Sequence, residues 1–172
     1  MSITIQDSRQ LRDAFGNYAS GLTVIAGLVD GAPVGFTCQS FCSVSLDPPL
    51  ISFCVMKTSS SWPKIRPANQ FTVNILSADQ LETSRNFGRS GIDRWAGVHW
   101  ESSKQGHPVM REALLCLDCS LYKEHEAGDH WLILARVEHI VPTQQNGDRE
   151  PLLFYKGQYR SLTAPEKRQA AC

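Results

Sequence analysis

Apolar residues repeat with a clear helical period in only two parts of this chain, and each part has a start and a stop signal. The first predicted helix is capped by Asp7 or Ser8 and ends at Gly21. The second begins in a capping box at residues 77–80 and ends at Gly88. The apolar positions of the first helix are Leu11, Ala14, Phe15, Tyr18 and Ala19.

The remainder of the chain has the pattern of strands, because β-branched and aromatic residues form short runs between turn residues. Asp30-Gly31 and Ala127-Gly128-Asp129 are the clearest hairpin turns. Residues 62–67 predict a short helical turn, and residues 89–110 predict a long loop packed by its own tryptophans. The predicted strands are 22–29, 34–47, 50–55, 71–76, 113–124, 130–141 and 152–155, with a short segment after the last.

This order of elements predicts a mainly β fold, an antiparallel barrel with two or three flanking helices. The sequence has neither GxGxxG after a strand nor GxxxxGK[ST], so a nucleotide is expected to bind outside the Rossmann and Walker schemes. A chain of 172 residues is predicted to be one domain, 1–172. Its polar tail, 163–172, is expected to be mobile.

The predicted strand at 34–47 is unusual because small polar side chains dominate it. Their hydroxyl and amide groups donate and accept hydrogen bonds without charge, and nearby glycine lets a flat ligand approach the backbone. We interpret this strand as a wall for a heteroaromatic molecule. Its polar residues are Thr37, Gln39, Ser40, Ser43 and Ser45.

A second polar cluster follows one strand later and combines Lys57 and Thr58 with Ser59, Ser60 and Ser61. A cation and hydroxyl groups at the start of a helical turn suit a phosphate. The same serines are equally able to cap the turn, and the two uses are compatible.

Composition narrows the class of partner. Hydrophobic residues make up 42% of the chain and charged residues 20%, which is typical of a soluble globular protein. The 17 basic residues balance the 17 acidic ones, so neither a nucleic acid nor an anionic membrane is expected as a partner. The first residues show no charged leader before an apolar block, and no apolar run reaches the roughly 20 residues of a membrane helix. These features predict a cytoplasmic protein.

The six cysteines are expected to be reduced and buried, because they lie among apolar strand residues without an export signal. Cys116 and Cys119 match the CxxC spacing of zinc and dithiol sites. In a strand, however, that spacing places the two sulfurs on opposite faces. We therefore favour packing over a metal or redox role, and no metal is predicted.

Taken together, the sequence resembles the flavin reductase domain family, the small reductase components of two-component flavin monooxygenases. The resemblance spans nearly the whole chain, and six blocks in register make it specific. It implies a split β-barrel homodimer that binds FMN or FAD, reduces it with NADH or possibly NADPH, and supplies a separate oxygenase. The blocks are 15–24, 35–50, 71–76, 86–89, 128–130 and 151–160.

The resemblance also implies roles for individual residues. The polar wall, Thr37, Cys38, Gln39 and Ser40 with Ser45, would contact the flavin ring. Ser59, Ser60 and Ser61 with Lys57 would hold the ribityl chain and phosphate, and Arg89 would add charge there. His130 would lie at the nicotinamide pocket as the catalytic residue, with Tyr155, Tyr159 and Arg160 near the dinucleotide.

Two departures from the family pattern bear on which flavin binds: Cys38-Gln39 replaces the usual small residue and Asn, and Trp62 is bulky beside the phosphate cluster. The residues do not decide between FMN and FAD, or between NADH and NADPH. Two alternative functions also stay open. One is a non-enzymatic flavin- or haem-binding carrier or sensor, and the other is a pyridoxamine-phosphate-oxidase-like enzyme.

Overall fold

The computed structural model describes residues 7–143 and 149–162. No helix within these ranges is long and apolar enough to cross a membrane. The predicted tail at 163–172 lies outside them, and the single-domain assignment stays a prediction. The α-helices are α1 (Ser8–Phe15), α2 (Trp62–Ile65) and α3 (Leu81–Phe87), and short 3-10 helices occupy Arg66–Ala68 and Ala78–Gln80.

Twelve strands make up about half of the described structure. They are β1 (Ser20–Gly21), β2 (Thr23–Val29), β3 (Ala32–Cys38), β4 (Cys42–Leu46), β5 (Pro49–Met56), β6 (Gln70–Ile75), β7 (Trp100–Ser102), β8 (Pro108–Met110), β9 (Leu115–Ala127), β10 (His130–Val141), β11 (Leu153–Tyr155) and β12 (Gln158–Arg160).

Seven of these strands form one curled sheet in the order β3-β2-β6-β9-β10-β5-β4. Every pairing between its neighbouring strands is antiparallel. The curl brings the end of β3 to β5 without a hydrogen-bond ladder between them, and Ser40 bridges this seam to Cys54. The predicted fold class, a mainly antiparallel split barrel with flanking helices, is confirmed.

The central strands are apolar on both faces because both faces are covered. On β2, Ile25 packs into the barrel interior, while Val24 packs into a second cluster outside it. The interior centres on the edge-to-face rings of Phe53, Trp62 and Phe71, whose centroids are 5.5–5.7 Å apart. A strand buried on both faces shows a continuous apolar run instead of alternation.

Two predicted hairpin turns have the backbone that their residues favour. Asp30 and Gly31 have φ of 51° and 77°, the positive pair that a two-residue type I′ turn requires. Gly128 has φ of 62° in the turn between β9 and β10. This second turn fixes where β10 begins, and so positions His130.

The first helix is shorter than predicted: α1 ends at Phe15 instead of continuing to Gly21. The Asn17 amide donates to the Asp13 and Ala14 carbonyls at its end, at 3.2 and 3.1 Å. Ser20 and Gly21 then pair with β11, which requires an extended chain. No residue of α1 is buried, so the helical period there does not mark a core face.

The predicted loop at 89–110 was partly wrong, because it contains the hairpin β7–β8. The hairpin is held by buried polar groups on β6: Thr72 donates to the Pro108 carbonyl at 2.6 Å, and Asn74 accepts from the Met110 amide at 2.8 Å. Three-residue strands have too few positions to show a period. The expected packing of this segment on its own tryptophans is present, because the rings of Trp95 and Trp100 lie edge to face with their centroids 5.9 Å apart.

The prediction of buried thiols was correct for some cysteines only. Cys38, Cys116 and Cys119 are buried, whereas Cys54 is half-buried and Cys42 is exposed. Cys42 was mispredicted because it lies on the edge strand β4. Cys54 was mispredicted because it alternates on β5 with the buried Phe53 and Val55, so its side chain is on the opposite face of the strand. Cys172 lies outside the described residues. No group of three or more potential metal ligands occurs in residues 7–143 and 149–162.

We expect Phe71→Ala to lower the free energy of unfolding by about 3–5 kcal/mol, because it empties the centre of the buried aromatic cluster. Phe15→Ala is the matched control, since Phe15 is 71% exposed, and it should change that free energy by less than about 0.5 kcal/mol. Urea denaturation followed by tryptophan fluorescence measures both. Equal losses in the two variants would contradict this assignment of the core.

Candidate functional site

A cleft of about 560 Å³ opens at the seam where β3 and β5 approach without pairing. Its wall continues through the segment between β5 and α2 and the end of α3, and His130 closes it at the start of β10. The lining residues are Phe36, Thr37, Cys38, Gln39, Ser40, Cys54, Val55, Met56, Thr58, Ser59, Ser60, Ser61, Phe87, Gly88, Ser90, Arg94 and His130.

The structure brings eight of the sequence-predicted site residues together in this cleft. They come from two polar clusters that are about twenty residues apart in sequence, together with one histidine from a distant hairpin. The eight are Thr37, Cys38, Gln39, Ser40, Ser59, Ser60, Ser61 and His130.

Side-chain hydrogen bonds hold the β3 wall in place. The Ser40 hydroxyl accepts from the Cys54 amide at 2.7 Å and lies 3.3 Å from the Cys54 carbonyl, and so it replaces the missing ladder. Thr37 donates to the Ser84 carbonyl at 2.7 Å, which ties β3 to α3. Gln39 is exposed and has no such bond to the described residues, so its amide is available to a ligand.

The serine cluster is ordered by the start of α2. The Ser59 hydroxyl accepts from the backbone amides of Ser61 and Trp62, at 3.3 and 3.2 Å. Ser61 is buried and donates to the Gly35 carbonyl at 3.2 Å, which joins this cluster to β3. Ser60 is exposed at the cleft surface. Ser61 is the N-cap residue of α2, but its own side chain does not cap the helix, and Ser59 supplies the bonds to the first amides instead.

Arg94 is the charged cleft residue that sequence reasoning missed. Its Nη1 donates to the Gly35 carbonyl at 2.9 Å and to the Ser61 hydroxyl at 2.8 Å, and its Nε donates to the Arg89 carbonyl at 2.6 Å. All three acceptors are neutral, so these contacts do not compensate the positive charge of Arg94, which faces the cleft. The one sequence signal was its place in a long loop of a compact domain.

His130 lies at the mouth of the cleft and is oriented by its neighbour. Its Nδ1 lies 2.7 Å from Asp129 Oδ1, which leaves Nε2 as the ring nitrogen available to a ligand. The hydrogen bond to His130 holds the pKa of the Asp129 carboxyl below its ordinary value, so this carboxylate is ionised at neutral pH. The Lys57 amide donates to the Asp129 carbonyl at 3.0 Å and anchors the turn.

The charge of Lys57 is engaged outside the cleft. Its ammonium pairs with Glu126 and lies 5.3 Å from the centre of the Trp131 ring. Lys57 does not line the cleft, and neither do Ser45, Tyr155 and Arg160. Lys57 instead stabilises the β9–β10 hairpin that carries His130.

A second cleft of about 440 Å³ lies on the other side of Thr37 and Gln39. It contains two of the remaining predicted residues, Arg89 and Tyr159. The Tyr159 hydroxyl donates to Ser84 at 3.2 Å. Three residues line both clefts, namely Thr37, Gln39 and Gly88.

The cleft has the chemistry of a binding site and shows no nucleophile–base pair. Burial raises the pKa of the Cys38 thiol, so Cys38 is protonated and unreactive. No carboxylate of the described chain lines the cleft, while one guanidinium and one imidazole do. Uncharged donors with a single fixed cation suit a polar aromatic molecule that carries a phosphate.

Comparisons with known proteins agree with this chemistry. A sequence model of the flavin reductase-like domain matches residues 15–163. The reductase subunit HsaB of a flavin-dependent monooxygenase from Rhodococcus jostii is 42% identical over 161 residues, which cover 94% of this chain and 80% of that protein.

Solved structures show the same fold. The nitrilotriacetate monooxygenase component B of Mycobacterium thermoresistibile superposes with a TM-score of 0.88 at 38% identity, covering 96% of this chain and 92% of that one. The Streptomyces globisporus NADH:FAD oxidoreductase SgcE6, solved with NAD and FAD fragments, has a TM-score of 0.84 at 31% identity, covering 95% and 99%.

We expect Gly35→Ala to destabilise the fold by about 1–3 kcal/mol through overpacking. A Cβ at Gly35 would lie 2.9 Å from the Phe87 ring and 3.0 Å from the Ile25 carbonyl. Gly21→Ala is the matched control, because its Cβ meets no atom within 4 Å. Urea denaturation of both variants measures their free energies of unfolding. Equal values would show that α3 moves to make room for the added methyl group.

Proposed function

The chain belongs to the flavin reductase-like domain family, and from this premise we propose that it is the reductase component of a two-component flavin-dependent monooxygenase. It transfers hydride from NADH to FMN or FAD. The reduced flavin then serves a separate oxygenase, as the names of the relatives indicate for those proteins. The observation that carries the proposal is a cleft of uncharged donors with one fixed cation, in a chain of this family.

The residues of the cleft fit a flavin. Its volume of about 560 Å³ is within the range of small-molecule sites. A flavin ring has an apolar benzenoid side and a polar pyrimidine side, and the lining offers Phe36 and Val55 as well as Gln39 and Ser40. The lack of a lining carboxylate among the described residues removes the repulsion that a flavin phosphate would meet.

The residues divide into two roles. The Gln39 amide and nearby backbone amides would donate to the polar edge of the ring, where they would favour a negatively charged reduced flavin. The hydroxyls of Ser59 and Ser60 with the Arg94 guanidinium hold the phosphate. Arg94 takes the phosphate role that the family resemblance suggested for Lys57, because Lys57 is paired with Glu126.

Hydride transfer needs positioning more than acid–base chemistry. A bound flavin supplies the hydride acceptor, so the protein has to stack the nicotinamide ring against it. His130 binds the nicotinamide side through Nε2, while Asp129 fixes the orientation of the imidazole. Arg89 and Tyr159 in the second cleft bind the remainder of the dinucleotide.

The protein acts as a homodimer. Large apolar side chains are exposed on neighbouring strands of the sheet, and such patches mark association surfaces. A second copy on this surface would also border the cleft, because Met56 and Cys54 line it from β5. The exposed residues are Val44, Leu46, Met56, Tyr122 and Ile140. We also propose a cytoplasmic location, because the cytoplasm supplies the NADH that the reaction consumes.

We expect purified protein to oxidise NADH only when FMN or FAD is added, with saturation in both substrates. Absorbance at the NADH band under aerobic conditions measures this, and omission of flavin is the control. Flavin binding without NADH turnover would instead support the carrier function. Consumption of an amine without NADH would support the pyridoxamine-phosphate-oxidase-like function.

We expect Arg94→Ala to weaken FMN binding about 10–100-fold, the effect of losing a charged hydrogen bond. Riboflavin lacks the phosphate, so its affinity should change little. Flavin fluorescence titration measures both affinities. Arg111→Ala is the control, because Arg111 pairs with Glu101 outside the cleft. An equal loss for riboflavin would mean that Arg94 only shapes the cleft.

We expect His130→Ala to lower kcat/KM for NADH on the order of 10–100-fold while flavin affinity stays within about twofold. The Asp129→Asn variant should give a smaller loss of the same kind, because it removes the negative charge that helps to orient the imidazole but leaves the imidazole itself in place. Steady-state kinetics and flavin titration measure these effects. Unchanged kcat/KM in His130→Ala would remove His130 from the nicotinamide site.

A further inference from the structure

A side pocket of about 270 Å³ adjoins the flavin cleft at Arg94. The two cavities share four residues: Ser60, Ser61, Ser90 and Arg94. Ser60 and Arg94 are two of the three side chains that would hold the flavin phosphate. The Arg94 side pocket therefore begins where an FMN molecule would end.

The Arg94 side pocket has a cationic entrance. Arg94 contacts only neutral acceptors within the described chain, and Lys64 lies exposed on α2 along the same pocket. Asp93 also lines it and keeps its negative charge while its carboxylate accepts a hydrogen bond from the Trp95 amide at 3.0 Å, so the lining as a whole has one excess positive charge. Two cations along one path match a diphosphate better than a single phosphate.

Beyond the cations, the pocket offers apolar surface to a flat ring. Val34, Ile92 and Trp95 line it, and Ile92 is 45% exposed although it is large and apolar. An exposed apolar side chain inside a polar pocket favours a ligand that covers it. An adenine base has the required flat apolar faces and a polar edge.

We propose that the Arg94 side pocket binds the adenylate half of FAD, so that the protein selects FAD over FMN. The inference rests on the proposed function, because it requires the flavin phosphate at Ser60 and Arg94. FMN ends at that phosphate. FAD continues through a second phosphate, which Lys64 meets, to an adenosine that packs on Ile92.

The dinucleotide substrate also carries an adenylate, but the position of the pocket favours the flavin. The pocket is lined by β3, by α2 with the two serines before it, and by residues 90–95. None of its lining residues comes from β5 or β10, within the ranges that the structure describes. His130 lies on β10 at the nicotinamide side of the cleft. The side pocket thus continues from the phosphate side of the cleft.

The test is equilibrium binding of FAD, FMN and riboflavin without NADH, by fluorescence titration or calorimetry. Wild-type protein should bind FAD about tenfold or more tightly than FMN. Lys64→Ala and Ile92→Ala should each weaken FAD binding about 3- to 10-fold and leave FMN binding unchanged. Lys104→Ala is the matched control, an exposed lysine that lines neither the cleft nor the side pocket.

Three results would overturn the inference: equal affinity of wild-type protein for FAD and FMN, equal losses for both flavins in the variants, or a higher KM for NADH in Lys64→Ala with unchanged FAD affinity. The last would assign the pocket to the dinucleotide. None of them would contradict the reductase activity, which NADH oxidation with either flavin reports separately.

Discussion

The unpaired seam between β3 and β5 is the constraint on which this structure depends. A sheet that curls until its strands meet must either complete its ladder or satisfy the backbone groups in another way. Here Ser40 bonds both backbone groups of Cys54, and Ser61 and Arg94 bond the Gly35 carbonyl. The barrel is therefore held closed by side chains, and the gap between the strands is the cleft.

The same constraint explains why the polar residues of the cleft are small and uncharged. A hydroxyl reaches a backbone group across a narrow gap and still offers a lone pair or a proton to a ligand. Two nearby cations that do not line this cleft are paired with carboxylates, Lys57 with Glu126 and Arg85 with Glu82. Arg94 is the exception, since its hydrogen bonds go to neutral groups. An anion entering the cleft thus meets one fixed cation.

Local sequence signals predicted most of the helices, strands and turns. The errors occurred where contacts between residues far apart in sequence determine the local structure. The Asp30-Gly31 turn, the capping box before α3 and the long strands β9 and β10 depend on neighbouring residues, and all were predicted. The end of α1 depends on pairing with β11, and β8 depends on Thr72 and Asn74 of β6. No window of the sequence contains both partners of such contacts.

The amino-acid sequence alone determined the antiparallel class of the fold, its turns, and the two polar clusters that line the cleft, because each is a property of residues close together along the chain. The tertiary structure alone decided which cations face the cleft. It paired Lys57 with a glutamate of the β9–β10 hairpin and brought Arg94 from a loop to Ser61. The charge that a side chain offers to a ligand depends on its nearest partner in space, and that partner is set only when the sheet curls.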